Sequence, residues 1–392
     1  MSSTHKAPAA ACRRILIVTR NLPPLVGGME RLNWHIADEL SRDACVRVVG
    51  PEGSAALRPD AVDIYEVAFR PLWRFVLASA WRVCAQAWLF KPDIIFAGSG
   101  LTAPAAFLAS RFTGARSCVY LHGLDAAVKH SVYRAIWNPL IRSMDVVVVN
   151  SAATAELARR LGVANNKIRI VHPGVGLPLA AQAARNLRSF RARHGLDDAH
   201  ILISVGRLTT RKGLREFVIE TLPEVVRAVP NTLLVIVGEA PLNALHATAQ
   251  SCESIQRAAD AVGVGEHLRF LGVITDREEL ACAYECAAVH VFPVREIAGD
   301  PEGFGMVAVE AAAHGVPTAA FATGGVIDAV SPEQSGLLVA SGDYAGLARA
   351  ITRLIAEGPT VWAHSCQVFA MRFAWPEIGR QLSHVLEVEH QT

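Results

Sequence analysis

Two carboxylates and a pair of glycines gathered at one helix start are the residues best placed for chemistry. The stretch Pro301-Glu302-Gly303-Phe304-Gly305-Met306-Val307-Ala308-Val309-Glu310 follows an apolar run at Val289–Pro293 and leads into an Ala-rich helix. Glu302 falls before that helix and Glu310 projects from its early turns. Gly303 and Gly305 let backbone amides approach an anion at the positive end of the helix dipole. Because a carboxylate accepts hydrogen bonds from paired hydroxyls, the stretch suits a ribose and a hexose joined by a diphosphate. A second stretch, Ser204-Val205-Gly206-Arg207-Leu208-Thr209-Thr210-Arg211-Lys212-Gly213, supplies cations after another β-run. The guanidinium of Arg207 offers a planar fork for two oxygens and the ammonium of Lys212 a compact charge, so together they can neutralise a departing diphosphate. The chain has no Asp-x-Asp. With the leaving charge already matched by Arg207, Lys212 and a helix N-terminus, no metal and no cofactor are expected.

Two rival phosphate-binding readings use the same residues. Gly303, Gly305 and Ala308 spell a G-x-G-x-x-A dinucleotide fingerprint, but the next strand, Pro317–Phe321, ends in Ala320 and Phe321 where such folds place an acidic residue for the ribose. Gly206 to Lys212 loosely follows a P-loop, yet Arg211 stands where its second glycine belongs and Gly213 replaces the magnesium-binding hydroxyl.

The elements that must position these residues come from hydrophobic periodicity. Short β-rich runs at Arg14–Thr19, Val46–Gly50, Asp93–Ala97, Ser117–Leu121, Asp145–Asn150 and Ile168–His172 alternate with amphipathic stretches. A second series runs through Ile201–Gly206, Thr232–Gly238, Leu268–Leu271, Val289–Pro293, Pro317–Phe321 and Gly336–Val339. Such alternation predicts α/β architecture: two doubly wound parallel sheets, with ligands taken in strand-to-helix loops beyond the carboxyl ends of the strands. Pro173-Gly174 and Pro178 break the pattern. The expected domains are 1–178 and 179–375, facing one another across a cleft, with 376–392 a closing amphipathic helix that packs back toward the first.

With these elements in order, the chain closely resembles glycosyltransferase family 4. The resemblance rests on the Glu-x7-Glu pair Glu302/Glu310, Ala-His-Gly-Val-Pro at 313–317, Thr-Gly-Gly at 323–325, the G-R-x4-K element Gly206-Arg207 to Lys212, and Pro-Gly-Val at 173–175. It implies a GT-B fold of two Rossmann-like domains, the second binding a UDP- or GDP-sugar. It further implies Glu310 on the nucleotide ribose, Glu302 near the transferred sugar, and Phe304, Met306 and Val307 within the donor site. Gly238-Glu239-Ala240-Pro241 resembles the family's Gly-x-Gly-Pro turn, Ala240 replacing a glycine, and implies a nucleobase pocket around Gly238 and Glu239. Gly27 and Gly28, between the first strand and first helix, resemble the glycine loop that closes over donor phosphates. His122, ending the fifth strand, matches the family's histidine facing the reacting sugar. Gly176 stands where the family has Asp, which removes any contact from that side chain.

A retaining glycosidase needs two carboxylates about 5 Å apart flanking the anomeric carbon. Only Glu302 is placed there, so the resemblance implies front-face transfer with retention. A diphosphate oxygen then takes the acceptor proton, while His122 and Glu302 orient sugar and acceptor. It also implies a glycan or lipid-linked acceptor in cell-envelope polysaccharide or lipopolysaccharide assembly. A sugar-nucleotide epimerase or hydrolase, or an inactive donor-binding relative, could share this fold.

Composition narrows the setting. The chain has 392 residues, 52% of them hydrophobic and 19% charged, which suits two buried sheets. Its 38 basic and 36 acidic side chains provide no general attraction to nucleic acid. Eight scattered cysteines without CxxC spacing, Cys282 and Cys286 among them as core packing, fit a reducing cytoplasm. No signal sequence or membrane span is evident. From Phe69 to Lys91 runs a Trp- and Arg-rich helix candidate. Trp73, Leu77, Trp81 and Trp88 share one face beside Arg70 and Arg74. That face either lies in an anionic headgroup layer, making the protein peripheral on the inner face of the membrane, or packs inward with snorkelling arginines.

Overall fold

The computed structural model describes residues 12–128, 130–241 and 249–387. They form two compact units, the first built from residues 12–149, 158–169 and 379–387, the second from 150–157 and 170–378.

The first unit contains a seven-stranded sheet in the order β3-β2-β1-β4-β5-β6-β7. Its strands are β1 (Arg13–Val18), β2 (Ala44–Pro51), β3 (Val62–Val67), β4 (Ile94–Ala97), β5 (Arg116–Leu121), β6 (Val146–Val149) and β7 (Ile168–Ile170). The second unit has six, in the order β10-β9-β8-β11-β12-β13. These are β8 (His200–Val205), β9 (Thr232–Val237), β10 (Leu268–Gly272), β11 (Val289–Phe292), β12 (Thr318–Phe321) and β13 (Gly336–Val339). The registered pairs are parallel. The cause lies in the runs themselves: β4, β6, β11 and β12 are buried at every position, which requires helices on both faces of the sheet. One strand is missing from the sequence reading. β3, Val-Asp-Ile-Tyr-Glu-Val, lies at the sheet edge with Asp63 and Glu66 exposed, so it lacks the apolar continuity that marks its neighbours.

Both sheets reverse direction once. In the first, β2 and β4 flank β1; in the second, β9 and β11 flank β8. Loops leaving the two central strands of each sheet therefore diverge and open a crevice at the carboxyl edge, the usual ligand position in a doubly wound sheet.

Among the described residues no helix is long and apolar enough to cross a membrane. Helix α1 (Gly28–Leu40) follows β1, and α2 (Leu72–Phe90) packs against α3 (Ala103–Thr113). In α2, Phe75, Ser79, Val83, Gln86 and Ala87 face inward. Trp73, Leu77, Trp81 and Trp88 are 64, 64, 69 and 76% exposed, and Phe112 of α3 is 79% exposed. The inward-packed alternative for this face therefore fails: its indoles stand in solvent.

Candidate functional site

In the second unit the crevice lies between the loops after β8 and β11. Glycine geometry presses these loops together. A Cβ at Gly213 (φ 68°) would run into the carbonyl of Pro293, and one at Gly238 (φ 129°) into the carbonyl of Gly206. Leu208 N–H donates to Glu239 O at 3.0 Å, tying the loop after β9 to the same group. Glu239 contributes its backbone there, while its side chain is exposed.

The centre of the crevice is a buried charge cluster. Oε2 of Glu302 accepts from Arg211 Nη1 at 2.5 Å and from Lys212 Nζ at 2.8 Å, and Arg211 Nε lies 3.2 Å from Asp300 Oδ1. Lys212 Nζ also sits 4.6 Å from the Phe292 ring centroid, a cation–π contact. Arg207 is exposed and within electrostatic reach of both Lys212 and Glu302. Burial alone would raise the Glu302 carboxyl, but Lys212 and Arg211 hold it below its usual range, so it stays ionised. Lys212 is lowered because burying an ammonium outweighs the attraction of a carboxylate it shares with Arg211. Three cations against two carboxylates leave a positive balance at the crevice.

Beside this cluster the helix Met306–Ala313 begins at Gly305 (φ 101°), with no side chain capping it. The loop before it is held from behind. Gly325 N–H donates to Glu302 O at 2.9 Å, and a Cβ at Gly325 would collide with Gly303 O. Phe304 is 3% exposed and stacks on His172 with centroids 5.1 Å apart, so only its backbone can meet a ligand. Met306 and Val307 are half-buried at the helix start. Glu310, in the same helix, accepts from Tyr284 Oη at 3.3 Å, and the Tyr284 ring stacks on His314. Below lies His290 on β11, fully buried, its Nδ1 3.0 Å from Thr318 Oγ1 and its ring stacked on Phe292. Burial, with Lys212 nearby, pushes the imidazole down to about 3.

The first unit's crevice carries the remaining expected residues. His122 Nε2 donates to Gly98 O at 2.8 Å, which places the ring proton on Nε2, and its backbone N–H donates to Asp125 Oδ2 at 3.2 Å. Gly27 caps α1, with the Glu30 carboxylate filling the space a Cβ would take; Glu30 also accepts from Asn21 Nδ2 at 2.8 Å. Gly28 opens α1 and is exposed.

The structure thus gathers Glu302, Lys212, Gly206, Gly238, Gly303 and Gly305 into one crevice and sets Glu310 along its helix. The sequence reading had missed Arg211 as a partner of Glu302, the anchoring Asp300, and the Tyr284 contact to Glu310. Arg211 carried a signal, a cation adjacent to Lys212, but its partner lies 91 residues away. Among the described residues no group of three or more His, Cys, Asp or Glu could hold a metal ion.

Comparison with known proteins bears on the family and the fold. The sequence profile of glycosyl transferases group 1 matches residues 188–364, and that of Glycosyltransferase Family 4 matches 26–177. The chain is 30% identical over 356 residues to the GDP-mannose-dependent alpha-(1-6)-phosphatidylinositol monomannoside mannosyltransferase of Mycolicibacterium smegmatis, covering 88% of this chain and 89% of that one. Its fold is similar to that of Anabaena Alr3699/HepE in complex with UDP, with a TM-score of 0.79, 20% identity and coverage of 95% of this chain and 99% of the other. It is also similar to WaaG, a glycosyltransferase involved in lipopolysaccharide biosynthesis, at a TM-score of 0.66 and 17% identity over 96% of this chain and 100% of that one.

Two predictions follow from the buried groups. Removing one partner of a buried ion pair costs about 3 kcal/mol or more. Arg211→Met should therefore destabilise the fold by about that amount in urea unfolding, and Glu302→Leu added to it should recover part of the loss; strict additivity would show the two groups uncoupled. His290 titrates below its unfolded value, so its contribution is complete above about pH 6.5 and is lost as pH falls toward 3. Between pH 7 and 5 it should remove about 2 kcal/mol, and His290→Asn should flatten that part of the stability profile.

Proposed function

The chain belongs to the family 4, group 1 glycosyltransferases, and on that premise we propose that it moves a hexose from a UDP- or GDP-sugar to a glycan or lipid-linked acceptor, with retention and without a metal. The observation that carries this reading is the Glu302 carboxylate held ionised by Arg211 and Lys212 at the mouth of an uncapped helix. GDP-mannose is the first donor to test, given the mannosyltransferase matched over most of the chain.

The roles follow from charge. The diphosphate rests on Arg207, Lys212 and the amides around Gly305 to Val307, with Gly206 giving it room. Because Glu302 has two cationic partners, it keeps Arg211 when Lys212 turns to a phosphate. Glu302, neutralised and locked, is a poor nucleophile and cannot donate a proton; it accepts from sugar hydroxyls and so orients the ring. On this reading Glu302 takes no part in a double displacement, and transfer is front-face, with a diphosphate oxygen taking the acceptor proton. Glu310 holds the ribose, and Gly238 and Glu239 border the nucleobase.

The acceptor side belongs at a membrane surface, in cell-envelope glycan assembly on the cytoplasmic face. Helices α2 and α3 contain no Asp or Glu, carry Arg74, Arg82 and Arg111, and expose three indoles and Phe112. Indoles with arginines and no acids suit an anionic headgroup layer.

Thermal shift with UDP, GDP, ADP and their sugars tests the donor site. Ligand at a hundred times its Kd should stabilise the fold by about 2.7 kcal/mol, and Lys212→Ala or Glu310→Ala should abolish that shift and cut kcat/KM at least tenfold. Full kcat/KM in either variant would overturn the assignment. An epimerase would instead change the sugar without acceptor, and a bare binder would leave it intact. Flotation on vesicles containing anionic lipid should recover the wild type but not Trp73→Ala/Arg74→Glu; equal recovery would remove the membrane from this reading.

A further inference from the structure

At the amino edge of the first unit's sheet, opposite the edge that carries the crevice, two thiols meet. Cys12 immediately precedes β1 and Cys45 is the second residue of β2, adjacent parallel strands in which Arg14 lies beside Cys45. Their sulfurs are 2.9 Å apart and both residues are exposed. A disulfide measures about 2.05 Å, so bonding requires an approach of about 0.9 Å by two side chains at the surface. We propose that Cys12 and Cys45 are a reversible redox pair, closing to a disulfide when the protein meets an oxidised low-molecular-weight thiol such as glutathione disulfide.

The arrangement also gives the two sulfurs different parts. Cys45 donates its S–H to Cys12, and this hydrogen bond, with burial adding to it, pushes the Cys45 thiol up while Arg14 and Arg47 oppose it. Cys12 is the acceptor in that pair, and in the exchange it is the attacking sulfur. Its thiolate attacks one sulfur of the oxidant, the S–S bond breaks, and one glutathione leaves as a thiolate that takes a proton. Cys45, deprotonated in turn, attacks the Cys12 sulfur of the mixed disulfide and expels the second glutathione. Two electrons and two protons have then passed from the protein to the oxidant.

Selectivity comes from burial elsewhere. Cys118, Cys282, Cys286 and Cys366 are buried, and burial pushes the Cys286 thiol up to about 11 and the Cys366 thiol to about 12. Cys84 and Cys252 are half-buried and both raised by burial. The bridge would span 33 residues, enclosing β1, the Gly27–Gly28 loop and α1, and would fasten the strand whose Arg13 pairs with Glu387 at 2.8 Å.

The test uses the full chain incubated with glutathione disulfide, quenched by acid and alkylation, and read by intact mass and peptide mapping. The expected product has lost two hydrogens, links the Cys12 and Cys45 peptides, retains no glutathione on them, and reverts with dithiothreitol. Cys12→Ser and Cys45→Ser should each keep one glutathione on the remaining exposed thiol instead. The bridged wild type should also melt several degrees above the reduced form, with no oxidant-dependent shift in either Ser variant. Wild type carrying glutathione separately on both cysteines, or both thiols still open to alkylation after treatment, would overturn the proposal.

Discussion

A single carboxylate oxygen, Oε2 of Glu302, organises the second unit's crevice. It is buried, which disfavours its charge, and it stays charged only because an ammonium and a guanidinium converge on it. Those cations come from the loop after β8, whereas Glu302 and Asp300 come from the loop after β11, so the ion cluster is also the clasp between the two loops. Together with the hydrogen bond from Arg295 N–H to Arg211 O at 2.8 Å, it fixes the helix entrance at Gly305 relative to Lys212. The cost of holding charges out of water is thus offset by contacts that prepare the surface an anion would meet.

The same clasp explains why the neighbourhood is rich in glycine and aromatic rings. Phe292 supports Lys212 through its ring face and leaves no room for a side chain at Gly305, where a Cβ would approach it to 2.7 Å. His290 continues this stack into the core as a neutral ring, since a second buried cation beside Lys212 would be repelled. The layer beneath the crevice is therefore aromatic and uncharged, and the charges lie above it, in the buried cluster at the crevice's centre and in exposed Arg207.

Much of this was legible beforehand because it is written in local patterns. Six strands of the second unit fall within a residue or two of the runs read from hydrophobicity, and the Glu302–Glu310 spacing announced a helix mouth. What escaped has a common cause. β3 is an edge strand whose polar residues face water, so periodicity alone gives it little contrast. Arg211 looked like one more basic residue at a loop, because its partner is supplied by a different strand. Tyr284 and Glu310 lie 26 positions apart, and Cys12 and Cys45 lie 33 apart. Contacts made by tertiary approach between unlike segments leave no periodic trace, whereas buried strands and capped helices do.

The carbonyl of Gly206 lies where any side chain at Gly238 would have to go. This couples the loop that would border a nucleobase to the one that would hold its phosphates. An engineer grafting a different base preference could not exchange one loop alone. Residues 205–213 and 237–241 would have to be transplanted as a matched pair, and natural divergence in this region should have been constrained in the same way.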